Sequence, residues 1–401
     1  MPSEKIEFAS PRHHMLSGSL EMPSGLLRGV ALFAHCFTCT KQSKAAVRVS
    51  RLLAREGIAC LRFDFTGLGG SDGEFGAAGF TTDVEDLVAA AEHLTDRFGM
   101  DLLLVGHSLG GAAVLCAAGR MDCVAAVATI GAPSDIPHVL KKIEGDLGAI
   151  EEHGEGEVKI AGRAFSISRQ FIDATRNADL LAQVSNLRIP LMFLHSPTDQ
   201  IVGIEHAAQL FKAAIHPKSF VSLDGADHLL VRQQDAEFAA RMIAGWACRY
   251  LPEPDIPEEL DTGVLIRTGS GKFGTEVHTA SHRFVADEPS TYGGEDAGPT
   301  PYDLLLAALG TCTAMTIKMY AERKDIPFSG TTIRLRHERD HAEDAGHSID
   351  AETKIQALYR DIELHGSLND DDRAKLMDIA DKCPVHRTLE GHLHIHTSQV
   401  G

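Results

Sequence analysis

The chain has 401 residues, 44% of them hydrophobic and 23% charged, which suits an ordinary folded protein of two or three domains. Lys plus Arg number 38 against 56 Asp plus Glu; the resulting net charge of −18 repels phosphate backbones and argues against a nucleic-acid partner. Eight cysteines are too few for a disulfide scaffold. "MPSEKIEFAS" shows no apolar run after its single lysine, and no apolar stretch is expected to cross a bilayer, so the reading is a cytoplasmic protein with no membrane partner.

Residues 1–250 alternate short apolar runs with amphipathic stretches. "GVALFAH", "ACLRFDF", "DLLLVGH", "VAAVATIG", "IPLMFLH" and "KSFVSL" each suit a buried parallel strand. "TTDVEDLVAAAEHL" reads as a helix that starts with a Thr82–Glu85 capping box and turns Val84, Leu87, Val88 and Ala91 to one face. This alternation predicts a mostly parallel α/β sheet with helices on both faces. Residues 134 to about 185 break the rhythm; their hairpin-like "GEVKIAGRAFSIS" predicts a small cap.

"DLLLVGHSLGGAAVLCA" places G-x-S-x-G, Gly106 to Gly110, between an apolar strand and an Ala-rich helix. Glycines permit the sharp turn that lifts a serine hydroxyl clear, so Ser108 is the candidate nucleophile. A serine needs a base oriented by an acid, and in this architecture the acid and then the histidine follow in chain order. Asp199 lies beyond "IPLMFLH" and His228 beyond "KSFVSL". Asp224 and Asp227 compete as acids but suit turns; His195 and His206 compete as bases. Oxyanion donors are expected from the backbone of Leu109 and of Phe37, after the early strand. Cys36 and Cys39 form C-x-x-C with no second ligand pair behind it, which reads as turn packing. In "RFDFTGLGGSDG", Asp64 and the glycines read as loop formers.

"HCFTCTK", "RFDFTGLGGSDG", "GHSLGG" and the order Asp199, His228 resemble the serine-hydrolase branch of the α/β-hydrolase superfamily. The resemblance covers about residues 1–250 and implies an esterase, thioesterase or peptidase reaction on a small acyl substrate, with no cofactor or metal. Cys36 departs from it, standing where such enzymes commonly carry glycine.

"LPEPDIPEEL", residues 251–260, holds three prolines and four acids and reads as a linker. Residues 261–401 then predict an α+β domain: Gly-punctuated strands, a helix, further strands, a second helix near 370–383 and a final strand. In "PYDLLLAALGTCTAMTIKMY", Leu305, Ala308, Cys312, Met315 and Met319 share one helical face. In "NDDDRAKLMDIADKCPVHRTL", Leu376, Ile379, Ala380 and Cys383 mark another. Each helix turns one cysteine toward the core, where the two could come within disulfide reach. His392, His394 and His396 would share one side of the final strand, read as a solvated face.

"GPTPYDLLLAALGTCTAMTIKMYA" and "CPVHRTLEG" resemble the two cysteine-bearing segments of the OsmC/Ohr family, and the whole chain resembles bacterial hydrolase–OsmC fusions. That resemblance implies an intertwined homodimer in which Cys312 attacks an organic hydroperoxide, Cys383 resolves it, and a dithiol reductant restores both. The family's glutamate position holds Tyr302, with Asp303 beside it; its arginine position falls near Lys272, with Arg283 or Glu295 as substitutes. Lysine cannot reproduce a bidentate guanidinium fork. These departures keep a second reading open, a dimerisation or ligand-binding module without peroxidase turnover.

Overall fold

The computed structural model describes residues 3–36, 39–75, 79–137, 140, 143–160, 163–176, 179–252, 262–341 and 354–399. They form two units, residues 1–298 and 299–401.

The first unit is built on an eight-stranded sheet. Its strands are β1 (Ser3–Ala9), β2 (Met15–Glu21), β3 (Gly29–Ala34), β4 (Ile58–Phe63), β5 (Leu102–His107), β6 (Val124–Ile130), β10 (Leu191–His195) and β11 (Lys218–Ser222), in the order β1-β2-β4-β3-β5-β6-β10-β11. The six expected strands are present and mutually parallel. β1 and β2 add an antiparallel pair at one edge, where Ile6 and Phe8 alternate inward. Parallel strands need crossovers and are covered on both faces, which is why β3, β4 and β5 are buried throughout.

Alternate strand residues sort between two cores. Val30, Leu32 and Leu104 pack with α2 (Phe80–Phe98), α3 (Leu109–Ala118), α6 (Leu180–Asn186) and α7 (Ile204–Ala213). Ala31, Phe33, Leu103 and Val105 pack with α1 (Lys44–Arg55) and α8 (Gln233–Ala247). The start of α2 differs from expectation. The helix begins at Phe80 with Gly79 as N-cap at φ 121°, so Thr82 lies inside the first turn rather than capping it.

Between β6 and α6 the chain leaves the sheet. β7 (Ile143–Glu144), α4 (Leu147–His153), β8 (Glu155–Ile160), β9 (Arg163–Ser168) and α5 (Arg169–Arg176) form the expected cap, with the hairpin at β8–β9. It has its own small core of Leu140, Ile150, Val158, Ile167, Phe171 and Ile172.

Of the expected linker, residues 253–260 lie outside the described residues. The strands after it, β12 (Leu265–Thr268), β13 (Thr275–His278) and β14 (Arg283–Ala286), form an antiparallel sheet that belongs to the first unit. Glu276, 3% exposed, accepts the Leu26 N–H at 3.1 Å and pairs with Arg28 at 3.4 Å. Ser270 donates its hydroxyl to the Pro23 carbonyl.

The second unit holds α9 (Pro301–Arg323), the antiparallel hairpin β15 (Phe328–His341) and β16 (Lys354–Gly366), α10 (Asp370–Ala380) and α11 (Pro384–Glu390). A capping box of Thr300 and Asp303, followed by Pro301, starts α9. Its buried stripe is Leu309, Thr313, Ile317 and Ala321, not the expected face, on which Met315 and Met319 are 64% and 69% exposed. Both faces of this helix are apolar, so periodicity could not choose between them. Contrary to expectation, α9 is long and apolar enough, by length and composition, to cross a membrane. Its buried stripe instead joins a core with Leu364, Leu376 and Ala380.

No final strand forms: residues 392–399 have no regular structure, and His392, His394 and His396 are exposed. Cys383 is not the last residue of α10 but the N-cap of α11. Pro384 dictates this, because proline holds the residue before it in extended backbone; Cys383 sits at φ −66°, ψ 142°.

Candidate active sites

In the first unit, β5 delivers Ser108 and α3 leaves immediately after it. Ser108 has φ 56° and ψ −125°, a left-handed conformation that costs energy for a residue with a Cβ and is held by its surroundings. Gly106 and Gly110 make the turn possible. A Cβ on Gly106 would collide with Gly110 and Gly111 backbone, and one on Gly110 with the carbonyls of Ala34 and His35. Leu109 opens α3, so its N–H has no acceptor within the helix.

His228 brings its Nε2 to 2.9 Å from Ser108 Oγ and its Nδ1 to 2.7 Å from Asp199 Oδ2. An ionised carboxylate only accepts, so Nδ1 carries the proton and Nε2 is left to accept from the serine. Asp199 Oδ1 accepts from the Ile201 and Val202 N–H groups at 2.8 and 3.0 Å. Burial pushes the Asp199 carboxyl up, but the bonds from His228, Val202 and Ile201 and the His228 charge outweigh it and hold it below its ordinary value. Ser108, His228 and Asp199 thus form one hydrogen-bonded line.

The competing residues are engaged elsewhere. Asp224 accepts from the Ser222 hydroxyl, and Asp227 from the Leu229 and Val231 N–H groups. His195 donates Nε2–H to the Val202 carbonyl at 2.8 Å, which fixes the Asp199 loop. His206 Nδ1 lies 2.9 Å from Ser134 Oγ. Asp64 shapes the neighbouring loops: it accepts from the Lys41 and Gly70 N–H groups and pairs with Lys41 Nζ.

One contributor escaped the sequence reading. His107, 1% exposed, donates Nε2–H to the His228 carbonyl at 2.7 Å. Burial, aided by the nearby His228, pushes its pKa down to about 4, so it is neutral at physiological pH. Nothing but its adjacency to Ser108 could have flagged it. The candidate oxyanion donor Phe37 lies outside the described residues. Cys36 and Cys39, expected only to pack a turn, are joined by a disulfide. The Cys39 N–H donates to the Cys36 carbonyl at 3.1 Å, which holds the two residues close enough for their sulfurs to meet.

In the second unit, α9 and the start of α11 bring the free thiols of Cys312 and Cys383 near enough for Cys312 to help lower the Cys383 pKa. Cys383 is fully buried and accepts from the His386 N–H at 3.3 Å. Tyr302 and Asp303 have other roles: the Tyr302 ring stacks on His337 at 4.2 Å, and the Asp303 carboxylate accepts from Thr300. Lys272 lies in the first unit with its ammonium over the Phe273 ring. Arg283 is exposed on β14, and the Glu295 N–H donates to Asp287. Arg360, not anticipated from sequence, reaches the buried side of the thiol pair from β16.

Residues 31–241 match the model of the alpha/beta hydrolase family, more than half of the chain. The chain belongs to the alpha/beta hydrolase family. Residues 293–398 match the model described as OsmC-like protein, so a hydrolase domain is followed by an OsmC-like one. Among solved structures, the chain is similar to the esterase domain of a Rhodothermus marinus protein. That likeness has 47% identity and a TM-score of 0.53, and covers 62% of this chain and 99% of that one. The uncharacterized protein YfhR of Escherichia coli K12 is 25% identical over 168 residues, 42% of this chain and 52% of its own. The chain therefore spans about half the length of that curated relative. The mitochondrial palmitoyl-protein thioesterase ABHD10 of Rattus norvegicus is 25% identical over 217 residues, 51% of this chain and 70% of that protein.

Proposed function

We propose that the first unit is a serine esterase or thioesterase acting on a small acyl substrate. The observation that carries this reading is the 2.9 Å approach of His228 Nε2 to Ser108 Oγ, with Asp199 behind the ring. His228 takes the serine proton as Ser108 Oγ attacks the acyl carbon, then returns it to the departing alcohol or thiol. A water, activated by the same ring, releases the acid. The Leu109 N–H is the donor we assign to the developing oxyanion, with Phe37 as its partner from the other side. The 47%-identical esterase domain supports ester substrates, and the likeness to ABHD10 supports thioesters. Ser108→Ala should lower kcat on an activated aryl ester by roughly 10⁶-fold, and Asp199→Asn by roughly 10⁴-fold. Unchanged hydrolysis in Ser108→Ala would refute the assignment.

For the second unit we propose that Cys312 and Cys383 reduce organic hydroperoxides within a homodimer. The OsmC-like match and the meeting of the two thiols support this. A cavity of about 510 Å³ in this unit has Leu305, Leu309, Leu358 and Leu389 on its walls together with the polar His337, Gln356 and Glu390; it is lined by neither cysteine. The second reading, a dimerisation or ligand-binding module, draws on Tyr302 and Asp303 being engaged elsewhere. Consumption of an alkyl hydroperoxide by the full chain with a dithiol, lost in Cys312→Ser, separates the two.

A further inference from the structure

The strongest polar contacts of the thiol pair gather on its buried member. Cys383 and Thr313 are both 0% exposed, and Thr313 Oγ1 lies 3.6 Å from Cys383 Sγ. Arg360 donates from Nη1 to that same Oγ1 at 2.7 Å and to the Ala380 carbonyl at 3.1 Å, and from Nη2 to Asp381 Oδ1 at 2.6 Å. The planar fork is therefore fixed at three points, one of them the residue that touches the sulfur. The Thr313 hydroxyl has a single proton and two acceptors in reach, the Leu309 carbonyl at 2.8 Å and Cys383 Sγ. With Arg360 occupying a lone pair of that oxygen, the proton must choose between them. A thiolate attracts it more strongly than a thiol does.

We propose that Arg360, acting through Thr313, is the positioning residue that holds Cys383 as a thiolate. This deepens the peroxide-reducing reading and takes its chemical meaning from it. In that reaction the Cys312 thiolate attacks the distal oxygen of ROOH: an S–O bond forms, the O–O bond breaks, and the alkoxide leaves as ROH after taking a proton. The Cys383 thiolate then attacks the sulfenic sulfur. An S–S bond forms, the S–O bond breaks, and hydroxide leaves as water after protonation. A dithiol returns two electrons and two protons. Resolution runs faster the larger the thiolate fraction at Cys383.

The surroundings of Cys383 agree with the proposal. Burial pushes its thiol up, and the His386 N–H, the Thr313 hydroxyl, the Cys312 thiol and the Arg360 charge together bring it below the ordinary value. The other charged groups nearby are Asp381, which pairs with Arg360, and the His386 ring, which faces Glu390 at 3.0 Å. The OsmC/Ohr resemblance implied a cation near Lys272, with Arg283 or Glu295 as substitutes, for the attacking Cys312; the Arg360 guanidinium from β16 lies on the side of Cys383.

The test is a pH titration of thiolate ultraviolet absorbance on the full chain, with the Cys383→Ser chain subtracted to isolate Cys383. This readout needs no access to the buried sulfur. Arg360→Met should raise the Cys383 titration by about one pH unit, a tenfold loss of thiolate at a pH below both midpoints. Thr313→Val should raise it likewise, Thr313→Ser should restore it, and Arg360→Lys should restore part. After one equivalent of alkyl hydroperoxide, Arg360→Met should hold Cys312 as sulfenic acid about tenfold longer before the disulfide forms. If Arg360→Met does not fold, Thr313→Val decides. An unchanged Cys383 titration in the folded variants overturns the proposal even if hydroperoxide is consumed. Shifted titrations in a chain that consumes no hydroperoxide overturn the peroxide-reducing reading alone.

Discussion

The His107 ring donates its Nε2–H to the backbone carbonyl of His228 at 2.7 Å, so the residue before Ser108 holds the backbone of His228. Burial keeps His107 neutral, and the carbonyl it faces sets the tautomer with the proton on Nε2; Nδ1 has no partner among the described residues. His107→Phe should lower kcat by roughly 10²-fold through misplacement of His228, with little change in KM. His107→Gln, which keeps a donor, should recover part of the loss. Equal activity in the Phe variant and the parent would show that the bond does not position the base.

The same histidine should leave a signature in acid stability. Its folded pKa of about 4 lies below the ordinary 6.5, so between these values the unfolded chain binds more protons than the folded one. His107 therefore favours folding above pH 6.5, and that contribution falls as pH drops toward 4. The loss reaches roughly 3 kcal/mol. Asp86, raised to about 6 by burial, has the opposite sign over an overlapping range. The two separate in a comparison of parent with His107→Phe. The parent's Tm advantage should shrink between pH 6.5 and pH 4. A constant difference across that range would contradict the buried, neutral histidine.

α9 supplies a test of association. Met315 and Met319 are exposed within a single chain, while Leu309, Thr313, Ile317 and Ala321 hold the helix in its own unit. If the homodimer we propose uses the open face, Met315→Glu with Met319→Glu should give a monomer in light scattering with unchanged far-ultraviolet dichroism. A dimer that survives both substitutions would place the contact elsewhere.

Much of the hydrolase unit was legible because its physics is local. Apolar runs buried on both faces read as parallel strands, and G-x-S-x-G between strand and helix announces a turn that few residues permit. Asp199 and His228 followed from chain order. His107 was opaque, because its role depends on a carbonyl 121 residues away. In the second unit the thiols were legible but their setting was not. An apolar pattern all around α9 hides which face is buried, and Pro384 moved Cys383 from a helix end to a helix start. Arg360 lies on a strand whose alternation carries no mark of Thr313, 47 residues away, to which it donates.

Covalent labelling tests the central claim, that Ser108 is activated by His228 and Asp199, most directly. A serine-directed fluorophosphonate incubated with the full chain, followed by peptide mass spectrometry, should place one adduct on Ser108. His228→Ala and Asp199→Asn should slow the labelling, and Ser108→Ala should abolish it. An adduct on any other residue, or equal labelling in His228→Ala, would contradict the account.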